Sequence, residues 1–425
     1  MSPRATLTPE ELLAPLSVES FVETHLEKQP LHSAGAADRF AGLVSLDDVE
    51  DLLARGFFSD AESYGIFRNG ERIPPPLFRA TPGFGRRQRD GAIASWVRER
   101  HLSGDTAAAY AVDTQFRPLG RLARDLAQAF RARVDIGLYL TPKHAQGLGR
   151  HWDYMDVFIL QVEGRKRWRL FGQAEQLPMR PRETTYEQSK GTQEATADHL
   201  LTPGDMLYLP RGAVHEVRTE GVQSLHLTIG VHRLQWHELL AETVREVAQS
   251  DPELRRSVSL DPKGRAEQAE RLLRRCADVL DPDALAALYE RSTIADVALS
   301  DRQLDTAMAQ ETTVDDETRV IKRAGVQCAL ESTGDHVLLR WPGSEPGATI
   351  RAPRQVSSAL RFIADASGPF SVGELPGAVT PKSKRVLVRR LIRAGVLKPA
   401  VGRESGAAGY ASSSARTGSG YPETR

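Results

Sequence analysis

The sequence predicts a mixed fold, with an antiparallel β-sandwich or barrel at its centre, helices leading into it, and a helical block followed by a small α/β unit after it. Three observations predict this. Short apolar runs follow one another from residue 134 to 231 (VDIGLYL, DVFILQV, KRWRLF, DMLYLP, SLHLTIGV), separated by Gly, Pro and Asp turn signals. Before them the apolar residues are spaced for helices, and after about residue 234 the period returns to 3.6.

In order along the chain, residues 8 to 56 place Leu12, Leu13, Leu16, Phe21, Val22, Leu43, Leu52 and Leu53 as apolar steps between charged neighbours, a helical lead-in. From about 57 to 90 glycines and prolines thicken (NGERIPPPLF, ATPGFGRR), which predicts irregular loops. RPLGRLARDLAQAF, residues 117 to 130, reads as one more helix. Among the strands lies the polar insertion GQAEQLPMRPRETTYEQSKGTQEATADHLL, long enough for a functional loop. LLAETVREVAQ, AEQAERLLRRCADVL and DALAALYERS then carry apolar stripes of several helices. HVLLRWPG reads as a strand, RQVSSALRFIADASG as a helix, and KSKRVLVRRLIRAGVLKPAV as a helix leading to a last strand, an order that resembles a winged helix. The Gly/Ser/Ala-rich stretch 401–425 cannot bury a core and is expected to be disordered. The expected units are 1–233, 234–310, 311–400 and this tail.

Bulk composition narrows the function classes. The 425 residues are 40% hydrophobic and 26% charged, an ordinary globular balance with length for two or three domains. Lys+Arg and Asp+Glu are both 56, so the whole-chain charge gives no case for nucleic acid or membrane as partner. Two cysteines, Cys276 and Cys328, are too few for a disulfide framework or a thiolate metal site. With no long apolar segment, the expectation is a soluble cytoplasmic protein.

The candidate chemistry begins at GRHWDYMDVFILQVEGRKRWRLF, residues 149 to 171. In a strand, i and i+2 share a face, so His151 and Asp153 project together. A third residue, His215, follows a Pro-Arg-Gly corner in PGDMLYLPRGAVHEV. Two histidines and one carboxylate with no fourth protein ligand match the facial triad of non-haem Fe(II) oxygenases. An H-x-D alone arises often by chance, and its plain reading is a satisfied polar pair.

Lys166 adds to the case. Glu163-Gly164 reads as a hairpin turn, after which Arg165, Arg167 and Arg169 take one face while Lys166, Trp168 and Leu170 take the other. A lysine on a buried face needs an anion, and the economical one is the distal carboxylate of a co-substrate whose other end chelates the metal. The competing reading puts Lys166 at the rim with its head in water.

The runs QGLGRHWDYMDVFILQVEGRKRWRLF, LTPGDMLYLPRGAVHEV and SLHLTIGV together resemble the JmjC-type ribosomal oxygenases, cupin-fold Fe(II)/2-oxoglutarate protein hydroxylases. The resemblance spans about residues 10 to 400. It implies a double-stranded β-helix barrel with N-terminal helices, a helical dimerisation region and a C-terminal winged helix. It implies His151, Asp153 and His215 as ligands of Fe(II), with O2 as the oxidant and oxidative decarboxylation of 2-oxoglutarate to succinate. Lys166 matches the basic residue that binds the 2-oxoglutarate C5 carboxylate, Thr228 a hydroxyl near that co-substrate, and Tyr139 a substrate-facing pocket tyrosine. His226 shares the face of Thr228 and reads equally as a core histidine.

Two positions depart from the histidine-hydroxylating members. Gly137 stands where they carry asparagine, and Gly230 where they tend to carry serine. The expectation is a roomier, less polar pocket, and arginine favoured over histidine as the hydroxylated side chain. The implied partners are a protein or peptide substrate, such as a ribosomal protein, and a second copy of the chain. Other readings are a cupin binding a different divalent metal, a peptide natural-product hydroxylase, and a nucleic-acid-binding regulator resting on the cations of KSKRVLVRRLIRAG. Leu387, Val388, Leu391 and Ile392 form that helix's apolar stripe, so a solvated face accounts for the cations and nucleic acid is not the expected partner.

Overall fold

A computed structural model of the chain describes residues 7–56, 63–75, 85–180, 194–293, 314–323, 326, 328–341 and 349–400. The expected tail, 401–425, and much of the polar insertion, 181–193, lie outside the described residues.

One antiparallel sheet dominates. Its strands are β1 (Leu31–Ser33), β2 (Tyr64–Arg68), β3 (Glu71–Arg72), β4 (Thr106–Ala109), β5 (Ala132–Thr141), β6 (Asp156–Gln173), β7 (Ala197–Leu201), β8 (Met206–Leu209) and β9 (Ala213–Arg233). They run in the order β1-β8-β6-β9-β5-β4-β2-β3, with β7 added beside β6. The two long strands β6 and β9 pair along most of their length, and their first and second halves face different neighbours: β8 for Val157–Leu160, β7 for Lys166–Leu170. The sheet is thereby rolled upon itself.

The roll turns at Gly164. Sequence reading placed a hairpin turn at Glu163-Gly164, but β6 runs through that point as a bulged bend, with register shifts on either side. Gly164 has φ +67°, and a Cβ there would lie 1.7 Å from the Gln223 carbonyl oxygen. Glycine lets the strand bend while its backbone touches β9. Parity beyond the bend is as expected: Lys166, Trp168 and Leu170 are buried, and Arg165 and Arg169 are exposed.

Alternation along β6 separates two cores. Phe158 and Leu160 join Ile136, Leu138, Leu227 and Ile229 beneath the helices, whereas Val157 and Ile159 join Trp168, Leu207 and Val217 inside the roll. Both faces are covered, which is why DVFILQV reads as a continuous apolar run. The helix Arg117–Phe130 supplies the outer cover, burying Leu119, Leu122, Leu126 and Phe130 at helical spacing. Pro9–Leu13 and Val18–Thr24 pack in the same core through Leu12, Leu13 and Phe21.

Residues 57–90 do not form only loops. Within them β2 and β3 make a hairpin, and a helix begins at Gly85 and ends at Leu102. The hairpin turn is Asn69-Gly70, with φ +50° and +93°, the dipeptide that closes two-residue hairpins. The helix carries few apolar residues, with Ile93, Ala94 and Val97 buried, so its period is faint.

After β9 come the helices Trp236–Ser250, Pro262–Val279 and Pro282–Ser292. Residues 314–400 build a separate core around Val320, Leu339, Leu360, Ile363, Val388 and Leu391. It holds two three-stranded antiparallel sheets and the helices Ser357–Asp365 and Pro381–Arg393. No described helix is long and apolar enough to cross a membrane.

Candidate metal centre

His151 is not in a strand. It forms an isolated bridge with His215, donating its N–H to the His215 carbonyl at 3.1 Å and accepting the His215 N–H at 2.8 Å. Asp153 follows in irregular backbone, and its carbonyl accepts the Gly212 N–H at 2.8 Å. The three side chains therefore converge through backbone pairing across the corner before β9, and not through strand parity. One ligand atom from each of His151, Asp153 and His215 lies within 4.8 Å of the others, the one such cluster among the described residues.

The imidazoles are set up as ligands. His151 Nδ1 sits 2.7 Å from the Gly149 carbonyl oxygen and His215 Nδ1 3.0 Å from that of Ala213. A carbonyl only accepts, so each Nδ1 carries a proton, which leaves Nε2 as the nitrogen suited to a metal. Burial, with the neighbouring His151 adding to it, pushes the His215 pKa down to about 4, so its ring is neutral near pH 7. Trp168 stacks on His215 with centroids 5.5 Å apart. Two histidines and one carboxylate suit a divalent iron that keeps open positions.

These ligands border a cavity of about 420 Å³ that also reaches Lys166, Thr228, Tyr139, Gly137 and Gly230. The candidate metal, co-substrate and substrate residues singled out in the sequence thus line one cavity. Lys166 is 2% exposed, so the rim reading fails. Its Nζ donates to Thr141 Oγ1 at 3.0 Å. Burial drives its pKa down to about 7, with no carboxylate among the described residues to compensate it. Trp168 Nε1 and His226 Nδ1 are likewise buried without a hydrogen-bond partner among the described residues. Burial, then the charge of Lys166, holds the His226 pKa well below the ordinary value. An uncompensated amine beside unused polar groups fits the carboxylate end of 2-oxoglutarate.

Sequence reasoning put Trp168 on the face of Lys166 without giving it a role in the cavity, and passed over Thr141, the buried partner of Lys166 behind it. Parity could have found Thr141, because it continues the face of Gly137 and Tyr139.

The pairing of β5 with β9 stacks the far wall in rows: Tyr139 opposite His226, Gly137 opposite Thr228, Asp135 opposite Gly230, and Arg133 opposite His232. Tyr139 and His226 stack at 5.0 Å. The glycines do not leave the open, apolar space expected of them. A Cβ on Gly137 would meet the Tyr139 ring at 3.3 Å, and one on Gly230 would meet Asp135 Oδ1 at 3.0 Å and His232 Nε2 at 3.1 Å. Asp135 Oδ2 lies 2.9 Å from both Arg133 Nη1 and His232 Nε2. Burial opposes the Asp135 charge, yet His232 and Arg133 together outweigh it and hold the carboxyl below its usual range.

Residues 112–239 match the family described as the JmjC domain. This stretch is a JmjC domain. The segment around it is similar to ribosomal oxygenase 2 of Rattus norvegicus, 31% identical over 260 residues that cover 58% of this chain and 53% of that protein. It is also similar to the bifunctional lysine-specific demethylase and histidyl-hydroxylase NO66 of Drosophila persimilis, 28% identical over 269 residues that cover 59% of this chain and 36% of that protein. The chain thus spans about half or less of these curated relatives. Among solved structures, the Escherichia coli ribosomal oxygenase YcfD aligns with a TM-score of 0.51 at 16% identity, covering 91% of this chain and 98% of that one. YcfD in complex with cobalt and 2-oxoglutarate aligns with a TM-score of 0.50 at 16% identity, covering 90% and 98%. These likenesses show that the fold around the JmjC domain is of the JmjC/cupin type, with antiparallel sheets and helices.

Proposed function

We propose that the chain is an Fe(II)- and 2-oxoglutarate-dependent oxygenase that hydroxylates a side chain of a protein substrate. The observation that carries the reading is the meeting, in one cavity of a JmjC domain, of the His151, Asp153 and His215 cluster with the buried, uncompensated Lys166. His151, Asp153 and His215 would hold the iron. When bound there with 2-oxoglutarate and O2, iron supplies the oxidative decarboxylation to succinate that drives hydroxylation. The protein's share is positioning and exclusion of water. Lys166 and Thr141 hold the distal carboxylate, Thr228 offers a hydroxyl nearby, and Trp168 fixes the plane of His215.

A ribosomal protein is the proposed substrate, following the names of the relatives, with arginine favoured over histidine. The space at Gly230 supports that preference differently from the sequence argument, because an acidic group occupies it. Mass spectrometry of ribosomal proteins from deletion and wild-type cells tests this: a loss of one oxygen on deletion supports the reading, and identical masses oppose it.

We also propose the finer architecture. Segment 234–293 exposes Trp236 (73%) and Leu273 (71%) on its helices and Leu260 (96%) between them, apolar surface suited to an isologous homodimer. In 314–400, the sheet of Arg319–Lys322, Phe370–Ser371 and Leu397–Pro399 with the helices Ser357–Asp365 and Pro381–Arg393 supports a winged-helix-like domain. The cytoplasm is the proposed location.

A further inference from the structure

We infer that the basic face of the helix Pro381–Arg393 docks on the phosphate backbone of a nucleic acid duplex. The whole-chain balance of 56 Lys+Arg and 56 Asp+Glu conceals how the charge is divided. Residues 314–400 hold 14 Lys+Arg and 8 Asp+Glu, a net charge of +6, so the rest of the chain carries −6. All 8 acids precede Leu375, and from there to Ala400 the chain has seven Lys+Arg and no acid. This unit therefore presents a positive field that the whole-chain sum does not show.

Six of those seven cations lie on the one helix. Leu387, Val388, Leu391 and Ile392 are buried and tie it to the core of the unit. Arg385 lies 3.1 Å from both carboxylate oxygens of Asp316, and Lys384 Nζ donates to the Gly373 carbonyl at 2.8 Å. Lys382, Arg389, Arg390 and Arg393 are exposed, with no ion pair or side-chain hydrogen bond among the described residues. At helical spacing these four fall within one sector of about 100° around Val386, opposite the buried stripe.

Solvation alone, the expectation from the sequence, does not account for this pattern. In the helix Pro262–Val279 the exposed cations are given counter-charges: Arg274 lies 2.6 Å from Glu270, and Arg271 and Arg275 face Glu253 and Asp251. The four on Pro381–Arg393 have no carboxylate partner among the described residues. Arg389 and Arg390 stand four and three residues before Arg393, like-charge spacings that weaken a helix, and Lys382 sits in the first turn, where the dipole disfavours a cation. A row that costs helix stability is accounted for by a polyanion that neutralises it.

Phosphate is the anion that suits the row. Three of the four cations are arginines, whose forked guanidinium binds phosphate oxygens bidentately. From Lys382 to Arg393 the helix rises about 16 Å. Over that length a duplex supplies about one phosphate charge per 1.7 Å of axis, and its major groove admits a helix. A lipid surface takes up a helix by its apolar face, and here that face is buried, leaving Val386 at 46% exposure. An acidic peptide would find no apolar anchor on this face beyond the same valine.

The test uses the full chain and fluorescein-labelled duplexes of one mixed sequence, about 20 base pairs long, made as DNA and as RNA and read by anisotropy between about 50 and 200 mM salt. Four neutralised phosphates should make the logarithm of the affinity fall with the logarithm of salt at a slope of about −3 to −4. Lys382→Gln, Arg389→Gln, Arg390→Gln and Arg393→Gln combined should weaken binding at least about 100-fold at the lowest salt. Arg389→Lys, Arg390→Lys and Arg393→Lys combined should keep most of the affinity and the slope, because the phosphates read charge first. Binding of either duplex in this manner supports the inference, and the tighter of the two identifies the source of the phosphates. No binding of either duplex at the lowest salt, binding that survives the four glutamines, or tighter binding to phosphatidylserine vesicles or to polyglutamate would overturn it.

Discussion

Lys166 Nζ and Thr141 Oγ1 lie 3.0 Å apart at the deep end of the roll, and that hydroxyl is the hydrogen-bond acceptor the buried amine has. A hydroxyl cannot neutralise an ammonium, so the pair is an incomplete anion site, and two consequences can be measured.

The first concerns co-substrate affinity. A charge-assisted hydrogen bond to a buried carboxylate contributes about 1.5–3 kcal/mol, or about 10- to 150-fold. Lys166→Met should weaken 2-oxoglutarate by that factor while leaving metal binding nearly intact, as read by calorimetry with each ligand. An unchanged affinity would mean that another cation holds the co-substrate.

The second is a pH dependence of the ligand-free protein. Burial lowers the Lys166 pKa from 10.5 to about 7, so between those values the unfolded chain binds the extra proton and stability rises with pH. Below about pH 7 the penalty is present in full. The denaturant stability of the wild type relative to Lys166→Met should therefore improve from pH 7 to pH 10. A flat difference would show that the amine is not desolvated.

The bend of β6 makes a structural prediction. Gly164→Ala must hold φ +67° and place a Cβ 1.7 Å from the Gln223 carbonyl oxygen, so β6 and β9 have to separate there. The left-handed conformation alone costs about 1–2 kcal/mol, and the clash adds to it. Urea unfolding should show a loss of at least about 2 kcal/mol, and stability equal to the wild type would mean that the strands do not touch at this point.

Assembly is the next prediction. With Trp236, Leu260 and Leu273 exposed in the segment after β9, sedimentation at micromolar concentration should give a dimer, and Leu273→Glu should shift it toward monomer. A monomeric wild type would remove the proposal.

Much of the cavity was legible because strand parity is a strong rule. Once β5 and β9 are strands, Gly137 and Tyr139, and Thr228 and Gly230, must share faces. The burial of Lys166 followed from three arginines alternating with it. What the sequence concealed was pairing across strands. The glycines were read as missing side chains, yet the space at Gly230 belongs to Asp135, its register partner on β5, a relation that no spacing within one strand reveals. The convergence of His151 with Asp153 came from a bridge to His215 and not from the strand assumed for them. At Asn69-Gly70 the hairpin signal was present and was outweighed by the prolines after it.

The central claim is that the His151, Asp153 and His215 cluster is an iron site that turns over 2-oxoglutarate. The most direct measurement is succinate formation from 2-oxoglutarate by the full chain reconstituted with Fe(II), with and without O2, beside His151→Ala and His215→Ala. The account predicts oxygen-dependent succinate in the wild type and its loss in both variants. Full activity in either variant, or no conversion by the iron-loaded wild type, would contradict it.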